Sequence, residues 1–122
     1  MAKTFFYEKE HEDSLADRVR AIRFSPPLRA FIRDAAQFMK NYLPMDIEPI
    51  TDVFSQTVHQ IDLSHNLSLD VLISKDPPRF RQKLAECNLA GALKSEYGKL
   101  LKDQGPIIDL CIDGLFNAKL GD

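Results

Sequence analysis

Leu28, Phe31, Ile32, Ala35, Phe38, Met39, Tyr42 and Leu43 follow one another at the three- and four-residue steps of an α-helix. One stripe of that segment is therefore apolar and the other polar. Ser25-Pro26-Pro27 supplies the start. A serine hydroxyl accepts from a first-turn N–H, and proline lacks an N–H where the helix offers no acceptor. Pro44 stops the pattern. A further helix is predicted from Pro49, with Ile50, Val53, Phe54, Thr57, Val58 and Ile61 inward and Asp52, Gln56, His59 and Gln60 outward.

Asp76-Pro77-Pro78 repeats the device seen at Ser25. The apolar positions after the two starts do not stay in phase, so the repeat marks a helix start and not a duplication. From Pro77 the helix buries Phe80, Leu84 and Cys87, whereas Leu89, Leu93, Tyr97 and Leu100 lie on nearly the opposite side. A bend or break is expected between Asn88 and Gly91. After Gly105-Pro106, the segment Ile107 to Leu120 carries Ile107, Ile108, Leu110, Cys111, Ile112, Leu115 and Phe116 around most of its circumference, leaving Asp109, Asp113 and Asn117 as a polar strip. A helix this apolar is usually central to a bundle or covered by a second subunit.

Two stretches fit more than one pattern. Leu67, Leu69, Val71 and Ile73 alternate as a strand would, while Leu69, Leu72 and Ile73 suit a short helix, which the helical neighbours favour. Thr4-Phe5-Phe6-Tyr7 is a short strand or part of a docking arm over residues 1–12, and Ser14 with Asp17 resembles a capping box ahead of Leu15, Val19 and Ile22. Together these patterns predict an all-α fold, a compact single-domain bundle of five or six helices over residues 1–122 with a short N-terminal arm. Pairing 67–73 with 4–7 would instead make it α+β.

Composition agrees with one packed core: the chain has 122 residues, 44% of them hydrophobic. It contains no run of about 18 apolar residues and no long apolar stretch at its start. It is read as soluble and cytoplasmic, with no membrane partner. The two cysteines, Cys87 and Cys111, fall in apolar helical patterns and read as reduced core thiols.

Charge changes the picture more than composition does. The total of 16 basic and 18 acidic residues hides a basic block, Arg18, Arg20, Arg23, Arg29, Arg33 and Lys40, interrupted only by Asp34. An acidic block follows, with Asp46, Glu48, Asp52, Asp62, Asp70 and Asp76 against Lys75 alone. Arg29, Arg33 and Lys40 share a side of the Ser25 helix away from the centre of its apolar stripe, so that charge faces solvent. Opposed blocks either steer a partner or neutralise one another within the chain.

No sequence signature points to a reaction. Asp109 and Asp113 share a helix face and could share a proton or hold Mg²⁺, but their spacing supplies too few oxygen ligands, so a solvent-facing stripe is the simpler reading. His11, His59 and His65 do not fall in a zinc spacing, and no glycine-rich phosphate loop, GxSxG elbow or HExxH helix occurs. No catalytic residue, metal or cofactor is assigned, and a noncovalent role is favoured over an enzymatic one.

The reading is a protein-interaction module: an adaptor, accessory subunit or inhibitor. Its partner-binding residues are Arg18, Arg23, Arg29, Arg33 and Lys40 on a basic surface and Asp46, Glu48 and Asp52 as an acidic counterpart. Leu110, Ile112 and Phe116 are candidates for an interface between subunits of a homo-oligomer. The alternative is a nucleic-acid-binding accessory or regulatory protein that contacts DNA or RNA phosphates through Arg18 to Lys40. The acidic net charge and the lack of a recognisable helix-turn-helix spacing weigh against it.

Overall fold

The computed structural model describes residues 22–120 and shows an all-α bundle of six helices, with no β-strand among the described residues. In chain order they are α1 (Pro26–Lys40), α2 (Ile47–His65), α3 (Leu69–Lys75), α4 (Pro77–Glu86), α5 (Leu89–Leu100) and α6 (Gly105–Leu115), after which the chain continues as a π-helical turn over Phe116–Leu120. The arm over 1–12, the Thr4 to Tyr7 segment, the Ser14 capping box and Arg18 lie outside the described residues.

Both double-proline starts form as expected. Ser25 Oγ accepts from the Leu28 N–H at 3.4 Å to open α1, and Asp76 Oδ1 accepts from the Arg79 N–H at 3.2 Å to open α4. The helix expected from Pro49 begins slightly earlier, at Ile47, with Asp46 as N-cap and Pro49 still in the first turn.

The ambiguous segment is helical because a tight turn precedes it. Asn66 and Ser68 hold φ of 50° and 57°, reversing the chain, and Asp62 Oδ1 accepts from the Leu69 N–H at 3.3 Å. Leu69 is then buried, and Leu72 and Ile73 pack against the same core at helical spacing. The expected break between α4 and α5 occurs at Asn88, which holds φ 56° and whose side chain accepts from the Gly91 N–H at 3.2 Å.

Packing against one shared core orients the elements. Phe31 on α1 meets Phe54 on α2 and Phe80 on α4 edge-on, with ring centroids 6.1 and 5.0 Å apart. Tyr97 is fully buried, and its hydroxyl donates to the Ile50 carbonyl at 2.6 Å, tying α5 to α2.

The last helix is only partly covered by its neighbours. Ile108, Cys111, Ile112 and Leu115 point into the core, but Leu110 is 62% exposed and Ile107 38%. α6 thus flanks the bundle with an apolar outer edge; of the two expectations, central or covered by a second subunit, the first does not hold.

Candidate functional site

α1 displays the basic residues because its buried stripe, Leu28, Ile32, Ala35, Ala36 and Met39, uses the other side of the helix. Arg29, Arg33 and Lys40 are exposed, as is Arg23 in the segment leading into the helix. Among the described residues the ion pairs are Lys83–Glu86 at 3.4 Å, Lys94–Asp113 at 2.9 Å and Lys99–Glu96 at 3.1 Å. None engages Arg23, Arg29, Arg33 or Lys40.

The acidic block sits differently. Asp70 Oδ1 accepts from the Ser25 N–H at 3.0 Å, Asp62 caps α3 and Asp76 caps α4. Three of its six acids therefore serve backbone N–H groups. Asp46 and Glu48 are exposed near the start of α2, while Asp52 is half-buried and has an interaction of its own.

The candidates for a subunit contact are likewise split. Leu110 faces solvent, Phe116 is half-buried against the core, and Ile112 is fully buried within the chain itself. Ile112 therefore has no surface to offer a second subunit. Tyr42, not anticipated as part of such a patch, stacks near Phe38 with centroids 5.6 Å apart and lies beside Gly114 on α6. That proximity across sequence could not be read from helical periodicity.

Beside Arg29 and Arg33 lies a hollow of about 260 Å³ whose walls include Phe24, Ile32, Thr51 and Ser55. Helical spacing signals the pairing of Thr51 with Ser55 one turn apart on α2, but only the packing of α2 against α1 brings them to the arginines. A larger groove of about 510 Å³ runs between α2 and α5, with Gln56, Gln60, Glu96 and Lys99 among the polar groups that line it.

The carboxylate pair on α6 is not isolated. Asp113 holds the Lys94 ammonium, and this hydrogen bond, opposed by partial desolvation and supported by the charges of Asp113 and Asp109, raises the Lys94 pKa. Among the described residues no group of three or more His, Cys, Asp and Glu side chains is placed to hold a metal ion. None of their helices is long and apolar enough to cross a membrane. Cys111 is buried, and loss of solvent pushes its thiol up to about 11, away from the thiolate a nucleophile requires. Comparisons with protein-family models, with curated proteins and with solved structures find no match to the chain.

Proposed function

We propose that the chain is a noncovalent protein-interaction module, an adaptor, accessory subunit or inhibitor, whose contact surface is the basic side of α1 with Arg23. The observation that carries this reading is the exposure of Arg23, Arg29, Arg33 and Lys40 without an ion-pair partner among the described residues. Such guanidinium groups retain their charge and donors for a carboxylate brought by another molecule. Arg18 belongs to the same proposed surface by sequence, and Asp46 and Glu48 form its acidic counterpart.

Self-association through α6 is a second reading, favoured by Leu110 at 62% exposed beside the outward edge of Ile107. Size-exclusion chromatography with light scattering at low and high salt, with poly-L-glutamate or duplex DNA added, tests both. The basic-surface reading expects salt-sensitive complexes with poly-L-glutamate that Arg29→Glu with Arg33→Glu abolishes. Preferential, steeply salt-dependent binding of DNA would replace it with the nucleic-acid alternative. Self-association lost in Leu110→Lys supports the second reading.

A further inference from the structure

The hollow beside Arg29 and Arg33 combines three kinds of wall. Phe24 and Ile32 are apolar, and the Phe24 ring meets the His59 ring edge-on with centroids 6.4 Å apart. Thr51 and the buried Ser55 line it from α2, and the two arginines supply positive charge from α1. Thr51 Oγ1 already gives its proton to the Ile47 carbonyl at 2.8 Å, so what it offers a ligand is lone pairs. A lone pair accepts from an amide N–H and repels a phosphate oxygen. The volume, about 260 Å³, also falls below the roughly 300–1,000 Å³ usual for a drug-sized ligand.

From these features we infer that the hollow is an anchor pocket for an acidic peptide segment, one aliphatic side chain entering between Phe24 and Ile32 while flanking carboxylates reach Arg29 and Arg33. The peptide backbone would donate an N–H to Thr51. This rests on the basic-surface reading and adds what the charges alone do not give: a requirement for an apolar residue between the acids.

Fluorescence anisotropy on the full chain tests it with two short labelled acidic peptides, identical except for a central Leu or a central Ser. Burying a leucine side chain is worth about 1.5–3 kcal/mol, so the Leu peptide should bind roughly tenfold or more tightly than the Ser peptide. Thr51→Phe, which fills the hollow and removes the acceptor for the peptide N–H, should weaken both peptides but the Leu peptide more, so that the difference between them disappears. The wild-type comparison stands on its own if that variant folds poorly.

Equal, salt-sensitive affinity for the two peptides would overturn the anchor pocket and leave the basic surface intact. Absence of binding to either peptide, with poly-L-glutamate still bound, would also overturn it. Loss of poly-L-glutamate binding as well would bring down the basic-surface reading itself. A single-stranded oligonucleotide that outcompetes the Leu peptide would likewise remove the inference.

Discussion

Cys111 and Tyr97 are titratable groups that the core holds away from water, and both must stay neutral there. Burial pushes the Cys111 thiol from 9.0 up to about 11, and burial drives the Tyr97 phenol far above its ordinary range, the Cys111 charge adding to it. In each case the folded chain binds its proton more tightly than the unfolded chain does. Their contribution to stability is therefore complete below the unfolded pKa and lost as pH rises. For Cys111 the loss spans about pH 9 to 11, and for Tyr97 it begins near pH 10. Each group should steepen the decline by at most about 1.4 kcal/mol per pH unit within its window. Chemical denaturation from pH 8 to 11 should show this fall, and Cys111→Ala should flatten its first part while lowering stability at every pH through the space it leaves. A decline of equal slope in that variant would mean that the thiol is not its source. Asp70 gives a second residue-level test, since its carboxylate accepts from the Ser25 N–H at the start of α1. Asp70→Ala should cost about 1.5–3 kcal/mol, the range for a hydrogen bond to a charged group, and Asp70→Asn less because an acceptor oxygen remains. Urea titration of the two variants measures both losses.

Helix boundaries depend on caps as much as on apolar stripes, and the α4–α5 junction shows why. Asn88 takes a left-handed backbone, φ 56°, and its side chain accepts from the Gly91 N–H at 3.2 Å. A Cβ on Gly91 would collide with the Asn88 side chain, so cap and glycine are one device. Gly91→Ala would normally strengthen a helix by up to about 1 kcal/mol. Here it should fail to stabilise, because the added methyl displaces the cap, which is itself worth about 1 kcal/mol. Asn88→Ala should cost about 1–2 kcal/mol from the lost cap and the strained backbone, and Asn88→Gly less. Thermal melts rank the three variants, and a stabilised Gly91→Ala would show that the cap contributes little. This junction was legible because Asn88 and Gly91 lie between stripes that point in opposite directions. The short α3 was legible only as the favoured of two readings, because Leu67 to Ile73 fits both periods and its helix depends on Asp62, seven residues upstream of Leu69. Which of the two expectations for α6 holds was not legible for a related reason: periodicity gives the width of an apolar stripe but not how much of it neighbouring helices cover.

Across the whole molecule, the question left by the charge pattern is whether the two blocks neutralise each other. The acids at positions 62, 70 and 76 accept from backbone N–H groups, and the basic residues of α1 enter none of the ion pairs among the described residues. Arg23, Arg29, Arg33 and Lys40 are thus displayed at the surface. The hollow beside it was not legible, because Thr51 and Ser55 reach Arg29 only through the packing of α2 on α1. Arg29 is also poorly placed for its own helix. It lies close to the α1 N-terminus, where the first turn carries no acid and the helix dipole disfavours a cation. Arg33, one turn further on, adds like-charge repulsion of about 0.2–0.5 kcal/mol. Arg29→Glu reverses both effects, so it should stabilise the fold by roughly 0.5–1.5 kcal/mol. The same substitution places a negative charge where the proposed partner brings one, and binding of poly-L-glutamate should fall at least tenfold at low salt. Stability and binding would then move in opposite directions, which ordinary structural damage cannot produce because damage lowers both. A variant that is more stable yet binds poly-L-glutamate as tightly as the parent would place the contact elsewhere on the molecule.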